Sequence, residues 1–150
     1  MLASSRSMKE ESKMIDDRTL SNVWAPRLLA ALRIMSALLF LEHGLVKVFG
    51  FPSEAAPGAQ PLTSLFGIAG LIETVGGVLL LIGLFTRPVA FLLAGEMAVG
   101  YFMVHAPDAF FPAINGGDAA ILFCFVFLYL AAAGPGAWSV DEMRAAKPAR

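Results

Sequence analysis

From Pro26 onward the chain alternates long apolar runs with short punctuation. Leu28 to Phe49 is the first run, stopped by Gly50 and Pro52 and followed by the loop FPSEAAPGAQP. Leu62 to Leu84 runs into Thr86, Arg87 and Pro88. Pro88 to His105 runs into the turn-rich APDAFFPAINGG, and the last run, about Gly117 to Ala133, ends at GPG. Proline and glycine at these joints stop helices, the first by lacking an N–H and the second by its backbone entropy. A helix rises 1.5 Å per residue, so about 20 apolar residues cross about 30 Å of hydrocarbon. All four runs meet that length, the last two narrowly. Short connections make successive helices antiparallel neighbours. The pattern predicts an all-α, polytopic membrane protein built as a four-helix transmembrane bundle.

Composition supports that reading. The chain is 57% hydrophobic and 15% charged, with a mean hydropathy of +0.70, whereas a soluble domain carries about 25% charged residues. A soluble bundle needs a polar face along each helix, yet LTSLFGIAGLIETVGGVLLLIGL has one charge in 23 residues. A net charge of -1 and the absence of a Lys/Arg cluster exclude a nucleic-acid partner. The single cysteine, Cys124 in FCFVF, excludes an internal disulfide, a CxxC pair and a cysteine-based zinc site, and reads as inert packing. No metal site is predicted.

Lys and Arg set the expected orientation. The polar residues before the first run, the joint at Arg87 and the segment with Arg144, Lys147 and Arg150 fall on one side, while the loops after Gly50 and His105 have neither Lys nor Arg. Positive charge marks the cytoplasmic side, so both termini are expected there. No signal-peptide pattern opens the chain. The predicted organisation is a polar, disordered cytoplasmic tail over 1–26, a membrane domain over 27–141 and a cytoplasmic C-terminal tail over 142–150.

The candidate chemistry lies inside the runs. Arg33, Ser36, Phe40, His43 and Lys47 recur at spacings of 3, 4, 3 and 4, one seam of a helix. Gly67, Gly70, Thr74 and Gly77 form a small-residue face suited to close helix approach, with Glu73 on its flank. Counting depth along each run predicts an Arg33–Glu96 ion pair and brings His43 level with Glu73, and Asp118 level with Lys47. A charge at the bilayer centre costs about 2.5–3.5 kcal/mol, so such groups pair, lose their charge or line a wet cavity. Glu42, Glu73 and Glu96 outnumber Arg33 and Lys47, so at least one glutamate is expected to hold a proton. Glu42, about 100° round the helix from His43, has no role in this scheme.

His43–Gly44 with Lys47 and FG at 49–50, GLIETVGG at 70–77, GLFTRP at 83–88, His105 before PDAFFP, GGD at 116–118 and GPG at 134–136 together resemble the DoxX family of small four-helix membrane proteins. The resemblance covers about residues 27–141. It implies a multi-pass protein of the bacterial cytoplasmic (inner) membrane, described in the family as an oxidoreductase-like or quinone-linked subunit. His43, Lys47, Glu73, Arg87 and His105 fall on positions the family tends to fill this way. Glu42 before HG departs from the pattern, and Asp118 stands where glutamate is commoner.

The expected function is a subunit of a membrane redox system binding a quinone or a small anionic ligand in a polar pocket of the outer half of the bundle. His43, Lys47, Glu73, Glu96, His105 and Asp118 are the ligand-binding or proton-relay candidates. A self-sufficient enzyme is not expected, since GxGxxG, P-loop and cysteine motifs are absent. Haem is not expected either, because His43 and His105 would have to meet while His105 lies about 180° from Glu96 on a continuous helix. The expected partners are the lipid bilayer and a redox partner subunit. A proton-coupled carrier or channel and a non-catalytic assembly subunit are the alternatives.

Overall fold

The computed structural model describes residues 18–52 and 58–146. The parts of the expected tails at 1–17 and 147–150 lie outside the described residues. Helix α1, Ala25–Phe49, has Pro26 in its first turn and is prolonged backward by a wider π turn at Leu20–Trp24. Residues 20–26, expected as tail, thus belong to the first helical segment. Gly50 ends α1 in the left-handed conformation, φ 66°, where its N–H reaches the last carbonyls. Helix α2, Leu65–Ile82, starts at Ser64, whose Oγ accepts from the Gly67 N–H at 3.1 Å. Helix α3, Thr86–Gly100, continues through a π turn at Tyr101–His105. The short α4, Pro112–Asn115, precedes α5, Asp118–Ala133. Ser139 accepts from the Glu142 N–H at 3.1 Å and opens α6, Val140–Ala145. The segment expected as tail from residue 142 therefore begins as a capped helix.

The described residues are all helical or irregular, without a strand. Three segments, Leu20–Phe49, Leu65–Ile82 and Thr86–His105, are long and apolar enough to cross a membrane. Apolar α5 has 16 residues, about 24 Å, shorter than the hydrocarbon it was expected to span.

Helices α1 and α2 pack most closely, and α3 pairs with α5. Glycine sets the first contact: a Cβ on Gly70 would lie 2.6 Å from the Lys47 Cβ, and one on Gly44 2.6 Å from the Thr74 backbone N. Small residues on both helices let the backbones approach. The core is a layer of Phe40, Leu80, Leu93, Phe127 and Leu130 with Ala37, Ala90 and Ala94. Phe40 meets Phe127 edge to face at 4.9 Å between centroids. The outer surface is apolar too: Phe91, Leu92, Leu122 and Phe125 are each about two-thirds exposed, while Arg33 and Glu73 are buried. Charge inside and hydrocarbon outside is the reverse of a soluble domain.

The end of the bundle that carries the 83–85 turn and α6, here called the turn end, is closed by side chains on helix termini. Arg33 donates from Nε to Pro135 O at 2.8 Å, from Nη1 to Leu80 O at 2.6 Å and Leu81 O at 2.8 Å, and from Nη2 to Ala137 O at 3.2 Å and Trp138 O at 3.0 Å. Arg87 donates to Ala131, Ala132 and Ala133 carbonyls at the end of α5. Arg87, and Arg33 at Leu80 and Leu81, meet the negatively polarised carbonyl end of a helix. Asp141 takes the opposite pole, accepting from the Phe85 and Thr86 N–H groups at 2.9 and 2.8 Å at the start of α3.

Burial works against the Asp141 charge, but the bonds from Thr86 and Phe85 and the nearby Arg144 hold its carboxyl below the usual aspartate range. A depressed folded value stabilises the protein fully above the unfolded pKa, about 3.9, and that contribution fades as pH falls through the folded value. Asp141→Asn is expected to lose about 1 kcal/mol at neutral pH. Thermal unfolding compared at neutral pH and below about pH 4 checks this, with the gap to the parent protein narrowing in acid.

Candidate functional site

Toward the opposite end, where Gly50 and the 106–117 connection lie, α1, α2 and α3 bring three ionisable side chains together. Lys47 on α1 forms an ion pair with Oε1 of Glu73 on α2. The carboxylate is almost wholly enclosed, at 2% side-chain exposure against 17% for the lysine. Glu96 on α3 lies close enough to feel the charges of both Glu73 and Lys47. Glu73 Oε2 and both carboxyl oxygens of Glu96 are buried with no hydrogen-bond partner. Each buried orphan acceptor costs about 1–3 kcal/mol, so three together mark a place that lacks donors.

His43 stands at the rim. It is within electrostatic reach of Glu73 and meets Phe123 of α5 edge to face at 6.1 Å, yet its side chain is exposed, not part of the buried seam. The seam runs instead through Arg33, Ser36, Phe40 and Gly44. Gly44, at the close approach to Thr74, turns toward α2 and so carries His43 round to the edge. Phe123 drew no attention in the sequence, because an aromatic in an apolar run gives no signal of the neighbour it will meet.

The expected Arg33–Glu96 pair is not formed. All five Arg33 N–H donors are used on carbonyls at the turn end, and a guanidinium has no further donor to give. Glu73 also takes Lys47 as its direct partner, with His43 only nearby. His105 contacts the Asn115 carbonyl through Nδ1 at 3.0 Å and stacks on Tyr101, while Asp118 is exposed in the first turn of α5. No hydrogen bond or ion pair links either to the charged trio. Among the described residues no group of three or more His, Cys, Asp or Glu side chains is arranged for a metal ion.

Two recesses lie apart from the trio. One of about 570 Å³ at the turn end is lined by Pro26, Tyr129, Gly136 and Asp141 among others. The other, about 320 Å³, is an apolar groove between α2 and α3 bounded by Leu71, Val75, Leu79 and Leu92. Neither touches Lys47, Glu73 or Glu96. The trio is the candidate site because charge and unpaired acceptors concentrate there.

Long apolar helices that turn charged groups inward and hydrocarbon outward define an integral membrane protein. The chain belongs to the DoxX family, whose profile matches residues 28–106. It is 42% identical to an uncharacterized protein of Haemophilus influenzae over 123 residues, 79% of this chain and 92% of that protein. Two Escherichia coli relatives are inner membrane protein YphA, 32% identical over 78% of this chain and 90% of its own, and inner membrane protein YqjF, 31% identical over 74% and 87%. Together with the apolar helices, these relatives assign the chain to the inner membrane as a multi-pass protein. No solved structure matches it.

Proposed function

We propose that the chain crosses the inner membrane four times with both termini in the cytoplasm, and serves a membrane redox system as a quinone-binding subunit. The orientation rests on Arg87 and Arg144 at the turn end, against a loop end whose connections carry no Lys or Arg. With 16 residues, α5 crosses where the bilayer thins locally or flanking residues complete the span.

The observation that carries the functional reading is the enclosed Lys47–Glu73 pair beside three unpartnered carboxyl oxygens. A small anion, the other ligand expected from sequence, meets two acids against one ammonium and is disfavoured. A quinol brings two hydroxyl donors, which is the chemistry those oxygens lack. Each hydroxyl proton leaves to whichever of Glu73 and Glu96 is ionised at that step, as electrons pass to a partner redox subunit, and Lys47 holds the carbonyl of the quinone form. Glu73 Oε2 and the Glu96 oxygens are closed to water, which strengthens each of these contacts. His43 at the rim links the trio to the surface.

Quinone retained by protein purified from native membranes, measured by extraction and chromatography, is the test. The parent protein is expected to carry quinone, and Glu96→Gln to weaken its affinity about tenfold or more, the cost of about one charge-assisted hydrogen bond. Parent protein without quinone, or Glu96→Gln with unchanged affinity, contradicts the reading. The excess of buried carboxylate also suits a proton-coupled carrier; substrate flux into liposomes with no bound quinone would favour that second reading.

A further inference from the structure

Glu42 has no place in the site, and it faces outward. It lies in α1 seven residues before Phe49, about 10 Å inside the helix end. Its side chain is exposed and makes no hydrogen bond or ion pair among the described residues. Glutamate is too short to reach the interface from that depth as a lysine does, and a bare charge there costs a few kcal/mol. Something of complementary charge is expected to cover it.

The same face supplies a partner for it. His43 is the next residue, also exposed, about 100° round the helix at the same depth. In projection Leu28, Leu32, Met35 and Leu39 fall between the two, at spacings of 4, 3 and 4. All four are exposed, from 38% at Leu32 to 65% at Leu28. An apolar stripe at that repeat is a helix-pairing seam, here on the outside of the bundle.

We propose that this face of α1 is the interface between two copies of the chain, related by a two-fold axis along the membrane normal, with Glu42 of each copy paired to His43 of the other. Two-fold symmetry makes the left edge of one face meet the right edge of its mate. Glu42 and His43 occupy opposite edges of the stripe at one depth, so the face is complementary to itself. Glu42 and this stripe lie outside the quinone reading, while His43 stands on both.

Full-length protein in native membranes tests the interface. In a Cys124→Ser background, Leu39→Cys is expected to form a disulfide with a second copy on mild oxidation, and Leu122→Cys on α5 is not. Reconstituted into lipid, Glu42→Lys is expected to weaken self-association about tenfold and the exchanged pair Glu42→Lys/His43→Glu to restore most of it. Where Glu42→Lys does not accumulate, Glu42→Gln is expected to weaken association in the same direction. A monomer in lipid, a Leu39→Cys crosslink only to a different protein, or a swap that restores nothing would overturn the interface. Quinone content of the Glu42→Lys and Glu42→Gln preparations, in which His43 is intact, reports separately on the trio.

Discussion

Arg33→Ala is expected to be the most damaging single substitution in the described chain, costing about 3–5 kcal/mol of stability. The guanidinium is itself buried and satisfies five carbonyl oxygens drawn from the end of α2 and the half-buried 135–138 segment. Removing it takes a donor from each of those oxygens, of which, among the described residues, Leu80 O alone keeps a bond, from the Gly83 N–H, and opens a void where the side chain lay. Arg33→Lys keeps the charge but offers three donors from a single nitrogen, so it is expected to recover only part of the loss. Thermal unfolding of the purified protein in detergent measures both. A change of less than about 0.5 kcal/mol in Arg33→Ala, the range of an ordinary surface substitution, would show that the arginine does not hold the turn end together.

The second large effect is expected at Lys47. Lys47→Ala leaves Glu73 and Glu96 facing one another with no cation in the trio, and breaking a buried pair in this way costs about 3–5 kcal/mol. Lys47→Met with Glu73→Gln removes the pair together, and is expected to regain about 1–3 kcal/mol of that loss through the coupling between the two positions. Both variants are expected to lose quinone binding. The contrast separates a functional pair from a structural one: stability returns in the double variant and binding does not. Full quinone content in the double variant would assign the pair to architecture alone.

Much of this was legible in the sequence because membrane helices obey strong, local rules. The apolar runs and the glycine and proline stops located the ends of α1, α2, α3 and α5 to within a few residues. The repeat of Gly67, Gly70, Thr74 and Gly77 marked a close-packing face of α2, though not that α1 is the helix it meets. Ser139 followed by Glu142 is an N-cap signature that makes α6 readable where a tail was expected.

The pairing of charges was harder to read, and the reason is physical. Depth counted along the backbone placed Lys47 at the outer boundary and matched His43 with Glu73. Side chains on a helix tilt toward its N-terminus, so the long lysine stem reaches back about one turn to Glu73. The same tilt directs Arg33 toward the turn end and its carbonyls. Those carbonyls carry no sequence signature, so counting acids against bases could not reveal them. Arg87 and Asp141 cap helix ends that lie at least 44 and 55 positions away along the chain, beyond any local pattern.

Lys47, Glu73 and Glu96 meet inside the bundle, and the proposed role needs that trio to respond to a quinone. Solid-state NMR on protein labelled at lysine Nζ and glutamate Cδ, in lipid bilayers, tests it most directly. The account predicts a short-range Lys47–Glu73 coupling that changes when a quinone analogue is added, with the Glu96 resonance moving at the same time. No such coupling, or one that the analogue leaves untouched together with Glu96, would contradict it.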